Sequence, residues 1–258
     1  GDRRKILEII IKTNKDDNSI KHKIPALEKL NSSNIISFLL DSGCWPLIKQ
    51  RPFDVIANPE ALPKSIFISC FDSAPLGVDF EFILKDQVES FKLGLEVLKK
   101  ITSGNLNIGL CADQKFLQSE LNDFNKNIFS GPHPAGNVGI HIHHLDPISQ
   151  GESVWVVKPE DVCIIGNLFE TGEYNPSRTI AVSGPPVKNP MYFKTTIGTK
   201  LSTILKSIEL DSHDEFRVIN SKFPHLSKET KKNNKKKLNS NKGIWEEKPD
   251  LNKSENIE

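Results

Sequence analysis

An α/β fold, with a doubly wound parallel sheet followed by part of a β-grasp module, is expected from three features of this chain. The first is the succession of a short apolar strand "SIFISC" (65–70), an amphipathic stretch "DQVESFKLGLEVLKK" and a second apolar strand "LNIGLCA" (106–112). Strand, helix, strand in that order is a βαβ unit, whose two strands run parallel with a right-handed crossover. The second is the repeat of that pattern further on, where "VWVV" leads into "KPEDVCIIGNLFETGE". The third is a change of style after Gly172. There "RTIAVSG", "PPVKNP", "MYFKTTIG" and "TKLSTILKSI" read as strand, turn, strand and short helix, the opening of a β-grasp module.

In chain order, "KILEIIIK" near the start is β-branched and apolar, hence a strand. It has no lead-in, so residues upstream are expected to be missing. "IPALEKLNSSNIISFLLDSGC" has helical spacing, with Ile36, Leu39 and Leu40 on one face and Gly43 as the stop. "PLIKQRPFDVIANPEALP" is polar and punctuated by proline, which predicts a surface loop. The amphipathic helix after "SIFISC" starts near Asp86 and repeats Val88, Phe91, Leu95 and Leu98. The helix after "VWVV" carries Val162, Ile165 and Phe169 inward, and "EFRVIN" is a candidate for a further strand. From Ser221 the apolar periodicity stops. The remainder, rich in Lys and Asn, reads as a disordered tail, with "KKNNKKK" as either a solvated run or a patch for anionic lipid headgroups.

The 258 residues carry 34 basic and 33 acidic side chains, a net charge of +1, which gives no reason to invoke nucleic acid as a partner. No apolar run approaches the roughly 20 residues that span a bilayer. The four cysteines are far apart and form no C-x-x-C pair, which argues against a zinc ribbon or iron–sulfur site. Cys70, Cys111 and Cys163 fall in or at the end of apolar runs, where cysteine behaves as a small hydrophobe.

The chemistry concentrates in "FSGPHPAGNVGIHIHHLDP", 129–147, which holds four of the seven histidines. On a strand, His141 and His143 would share a face and offer an H-x-H chelate, with His133, His144 or Asp146 as a third ligand. A metal enzyme built on His133, His141 and His143 is one reading, and hydrogen-bonding histidines at a strand end are the other. A phosphate cradle is disfavoured, because Pro132 and Pro134 remove backbone donors. The stretch lacks G-x-G-x-x-G, and Ser130 near His133 lacks the G-x-S-x-G elbow. What the residues define is a proline-fixed loop, with Gly131 and Gly136 permitting sharp turns, suited to a flat ligand or a partner surface.

This stretch resembles a signature of the A subunits of the bacterial sodium-translocating NADH:quinone oxidoreductases. So do "LLDSGCWPLIKQRPFD", "SIFISCFDSAPLGVD", "VWVVKPEDVCIIGNLFETGEYNPSRTIAVSGPPVKNP" and "TTIGTKL", in the same order, from about Arg3 to about Asn220. The resemblance implies a Rossmann-like domain at 31–172 and a partial β-grasp domain of the soluble-ligand-binding type at 173–220. It also implies that 1–30 is a strand and linker left from a missing biotinyl-like domain of about eighty residues, the size of a small domain, and that the tail at 221–258 replaces a helical, cysteine-bearing region. It further implies a peripheral subunit on the cytoplasmic face of the inner membrane, in a complex that oxidises NADH, reduces ubiquinone or menaquinone and transports sodium. The partners would be the B to F subunits of the same complex, chiefly the membrane-embedded B subunit. FAD, FMN, riboflavin and an iron–sulfur centre would reside in other subunits, so that this chain alone has no activity. Gly131, Pro132, His133, Pro134, Ala135 and Gly136 become the family loop, at a quinone-side or subunit interface, with His141 and His143 behind them. Trp45 is a candidate apolar contact and Arg51 a candidate anion or carbonyl contact. No residue is assigned a catalytic or metal-ligating role. The rival readings are a non-redox scaffold or binding module, a truncated remnant of the family's protein, and the histidine-based metal enzyme.

Overall fold

Asn31 starts the first helix by accepting the N–H of Asn34 with its side chain, 2.8 Å away. This is the N-cap bond that meets one of the donors a helix start leaves open. The helix, α1 (Ser32–Asp41), buries Ile35, Phe38 and Leu39 and leaves Leu40 exposed. Its apolar face is therefore one residue away from the one the sequence suggests. The computed structural model describes residues 19–25, 31–74, 76–184, 186–210, 216–219 and 244–247. The strand expected at "KILEIIIK" lies outside them.

The expected surface loop after α1 is instead part of the sheet. A 3-10 turn (Trp45–Leu47) leads into β1 (Lys49–Arg51), which hairpins with β2 (Val55–Ile56). Ile48 and Ala57 are buried at its base, and burying them pulls the segment onto the sheet despite its prolines. The main strands are β3 (Ser65–Ser69), β4 (Asn105–Cys111), β5 (Lys126–Phe129) and β6 (Val154–Val156). They are mutually parallel, and β1 joins β6 antiparallel. The six-stranded order is β2-β1-β6-β3-β4-β5. The sheet is thus parallel at its core and antiparallel at one edge.

Strand alternation decides which helix covers which face. Ile66 and Ile68 join the large core with α3 (Val88–Lys99) and α6 (Pro159–Thr171). Phe67 faces the other way, onto Ile142 of α5 (Val138–Leu145). Helices α3 and α6 approach closely: a Cβ on Gly94 would stand 2.2 Å from Val162 O, and one on Gly166 would stand 1.7 Å from Ser90 O. Two shorter helices, α2 (Phe80–Leu84) and α4 (Lys115–Glu120), fill the connections. From β3 the chain winds one way to β4 and β5, then returns past β3 to β6. The loops that leave β3 and β6 lead to α3 and α6 on one face, whereas the loop that leaves β5 leads to α5 on the other.

After Gly172 (φ +77), which ends α6, a second unit begins. Strands β7 (Ser177–Val182) and β8 (Met191–Thr196) form an antiparallel hairpin, followed by α7 (Leu201–Leu205). Ile180, Val182, Val187, Leu201 and Ile204 give it a core of its own. "EFRVIN" does supply a strand, β9 (Phe216–Ile219), paired antiparallel with β10 (Ile244–Glu247). That last strand falls inside the region read from composition as a disordered tail; the rest of 221–258 lies outside the described residues.

Candidate functional site

The loop that leaves β5 at Phe129 crosses the carboxyl edge of the sheet and is held by the loop that leaves β3. Ser73 Oγ accepts the N–H of Gly136 at 2.7 Å and lies 3.1 Å from His133 Nδ1. Ser69 Oγ donates to the carbonyl of Gly136 at 2.9 Å. Both polar groups of Gly136 are therefore engaged by serines of the β3 segment. Gly136 is needed for space, since a Cβ there would stand 2.5 Å from Phe71 O and from Ser73 N. It does not serve the sharp turn expected from the sequence. Gly131 does, with φ +125, a region L side chains avoid. Within the loop Ala135 N donates to Pro132 O and Asn137 N to Pro134 O, and the His133–Pro134 peptide is cis.

Below the loop sits His141, 1 % exposed. The stretch "VGIHIHHL" is helix α5, not the strand its alternation suggests, and this overturns the chelate. On a helix, residues two apart point to nearly opposite sides. His141 is accordingly buried, while His143 and His144 are exposed and meet edge to face at 5.3 Å. Asp146, another of the candidate ligands, is paired with Lys64 Nζ at 2.8 Å and accepts from Ser65 Oγ at 2.7 Å. Among the described residues, no three His, Cys, Asp or Glu side chains are placed to share an ion.

The chemistry of His141 follows from its surroundings. Its ring stacks on Phe129 at 3.7 Å, and its Nδ1 lies so close over β4 that a Cβ on Gly109 would be 2.3 Å away. Nε2 is 2.9 Å from the carbonyl of Ala135. A carbonyl only accepts, so Nε2 carries the proton. Burial pushes the imidazole down to about 4, with His144 adding to the shift and the Ala135 carbonyl opposing it. At neutral pH His141 is a neutral donor, a post under Ala135 rather than an acid or base.

Trp45 and Arg51, the two other candidates, belong to the opposite edge of the sheet. Trp45 is a core residue, 3 % exposed, donating from Nε1 to Ala57 O at 2.7 Å and meeting Trp155 edge to face at 5.4 Å. It offers no free apolar surface. Arg51 pairs with Asp54 across the hairpin turn at 3.4 Å. The structure therefore gathers Gly131 to Gly136 and His141 into one assembly and leaves His143, Trp45 and Arg51 out of it. Sequence reasoning missed Ser69, Ser73, Gly109 and Phe129. Phe129 stood at the head of the histidine-bearing stretch, but the serines act on residues sixty or more positions away, which no local spacing signals.

The assembly fixes a backbone. The N–H groups of Ala135, Gly136 and Asn137 all donate within the protein, so they cannot cradle a phosphate. Ser73 beside His133 has the parts of a nucleophilic pair, but its oxygen is already held by the Gly136 N–H. Burial raises the thiols of Cys44 and Cys163 to about 12 and that of Cys70 as well, so none is a thiolate at neutral pH. No described helix is long and apolar enough to cross a membrane.

A parallel-cored α/β sheet with an anchored carboxyl-edge loop, followed by a small hairpin unit, is thus the class of molecule. The family model of the NqrA second alpha/beta domain matches residues 30–174, and that of the NQRA C-terminal domain matches 179–221. The chain belongs to the NqrA family, whose members are the A subunits of the Na(+)-translocating NADH-quinone reductases. It is 37% identical over 221 residues to the member from Histophilus somni (strain 2336), covering 85% of this chain and 49% of that protein. It is 38% identical over 207 residues to the member from Yersinia pestis bv. Antiqua (strain Angola), covering 79% and 46%. The chain spans about half the length of the curated relatives it matches. Among solved structures, an NAD+-reducing [NiFe]-hydrogenase in the H2-reduced state shares the fold, with a TM-score of 0.53 at 10% identity over 76% of this chain and 44% of that one.

Proposed function

We propose that this chain serves in a respiratory sodium pump that oxidises NADH and reduces ubiquinone or menaquinone, as the peripheral, quinone-end subunit on the cytoplasmic face of the inner membrane. It docks on the membrane-embedded B subunit, and the flavins and iron–sulfur centre belong to other members of the B to F set. In this reading the sheet domain is Rossmann-like and the hairpin unit is the start of a β-grasp domain. The observation that carries the proposal is the 37% identity to a Na(+)-translocating NADH-quinone reductase component, the NqrA protein of Histophilus somni, across 85% of the chain. The anchored loop supports it in kind, since a prepositioned backbone with a neutral buried histidine suits holding a ligand or neighbour and not transferring protons. The loop Gly131–Gly136 with His141 beneath it is the part of this chain assigned to that interface.

A scaffold role without any contact to quinone is the second reading. It is favoured by the way Gly136, Ser73 and His141 are all engaged in internal bonds. Affinity capture of the tagged chain from membranes of a host expressing the remaining subunits tests the first proposal. Co-purification of the membrane-embedded component, with sodium-dependent NADH:quinone reductase activity that is lost when the chain is deleted, is the expected result. Full activity in its absence would overturn it. Activity that needs the chain but withstands Pro132→Ala, Pro134→Ala and Gly131→Ala together would favour the scaffold.

A further inference from the structure

The loop after β3 is gripped at two points by different parts of the molecule. At its start, Ser73 holds Gly136 and His133, as described. At its end, the N–H of Asp79 donates to the phenolic oxygen of Tyr192, on β8 of the second unit, at 3.0 Å. The Tyr192 ring also stacks on Phe82 of α2 at 4.8 Å. Asp79 is the N-cap of α2, its carboxylate accepting from Glu81 N and Phe82 N. The stack and the cap thus fix the same turn.

Between the two grips the described residues are bonded to one another. Ala74 N donates to the Asp72 carboxylate at 3.1 Å, and Gly77 N donates to Ala74 O at 2.8 Å. Gly77 lies so close to the Asp72 side chain that a Cβ there would stand 2.6 Å from Asp72 Cγ. Ala74 is buried. The Gly77–Ala74 bond spans position 75 and ties the described residues on its two sides together, so a shift at Asp79 is passed back toward Ser73.

We propose that residues 72–74 and 76–79 form a stiff link through which the second unit sets the position of the His133 loop, with Tyr192 as the positioning residue. The link joins two parts of the chain that share no strand. It makes the geometry at Gly131–Gly136 depend on how the β7–β8 hairpin is seated. Whatever docks on or displaces that hairpin is then felt at the carboxyl edge of the sheet. The inference rests on the contacts just given and stands or falls apart from the pump assignment.

Tyr192→Phe in the full chain tests it, since the variant keeps the ring and its stack and removes only the oxygen that receives the Asp79 N–H. Amide hydrogen exchange followed by mass spectrometry, and the ring resonances of His133 followed by NMR, are the readouts. The expected result is a several-fold rise in exchange at both 76–82 and 131–137, with β4 unchanged, and a shifted His133 resonance. A rise confined to 76–82, or no rise, with His133 unmoved, would overturn the link. General loss of stability does not mimic the expected result, because it would not move a resonance of the folded state. Ser73→Ala serves as the second variant: it must raise exchange at 131–137. If it leaves that loop protected, the Ser73 grip is not what holds the loop and the proposal fails.

Discussion

His141 shows how a titratable side chain can be recruited for its shape. The ring fits between Phe129 and the bare backbone of Gly109, and its one proton goes to Ala135 O. Its folded pKa of about 4 lies below the ordinary value of 6.5. Between those two pH values the unfolded chain binds the extra proton and the folded chain does not. Stability contributed by this group is therefore complete above about pH 6.5 and falls as the pH drops toward 4, by at most about 3 kcal/mol. His141→Gln is expected to be less stable than wild type at pH 7, yet to lose less additional stability between pH 6.5 and 4. Urea unfolding at a series of pH values measures the difference. Parallel pH profiles for the two proteins would show that His141 is not held neutral.

At the level of elements, strands and helices with strong periodicity were legible in the sequence. "SIFISC", "LNIGLCA" and the helix carrying Phe91, Leu95 and Leu98 all stand where apolar spacing puts them. Alternation misled at "IHIHHL", because Ile140 and Ile142 alternate with histidines that a helix distributes around its surface. Capping could have corrected it: Asn137 precedes the run in the N-cap position. The edge hairpin was hidden for a different reason. Its strands are three and two residues long, too short for a period to show, and what holds them is the burial of Ile48 and Ala57. The loop was legible as a motif, but its grip by Ser69 and Ser73 was not, since the partners meet only after the sheet assembles. Glycines sort along the same line. Gly166 lets α6 press on α3, whereas Gly139 in α5 has nothing within 4 Å of where a Cβ would be. Gly166→Ala should cost about 3 kcal/mol or more through overpacking, while Gly139→Ala should add up to about 1 kcal/mol through helix propensity. Thermal unfolding of the two variants separates close packing from mere helix membership. Equal effects would mean that the α3–α6 crossing yields more readily than its geometry indicates.

Across the whole molecule, the hairpin unit is tied to the sheet domain by a buried charge pair as well as by Tyr192. Arg178 of β7 bonds the carboxylate of Asp161 in the first turn of α6, with side chains 11% and 7% exposed. Next to it, Thr179 N donates to Glu160 Oε1 at 2.7 Å. A buried pair of this kind adds little net stability over an apolar replacement, because both ions give up water to form it. Removing one partner is another matter, since the other charge is left without water or counterion. Arg178→Met should therefore destabilise by about 3–5 kcal/mol, and Asp161→Leu in the same chain should restore most of that. The loss should also be local in its first expression. The hairpin unit has its own small core of Ile180, Val182, Val187, Leu201 and Ile204, so releasing it from α6 need not open the sheet. Hydrogen exchange in low urea should then show 177–205 deprotected in Arg178→Met while β3 and β4 keep their protection, and the double variant should regain it. If the single variant instead loses protection evenly across both units, the pair is a core element of one cooperative body. The hairpin could then not change its seating by itself, and Tyr192 would have no independent motion to pass to the His133 loop.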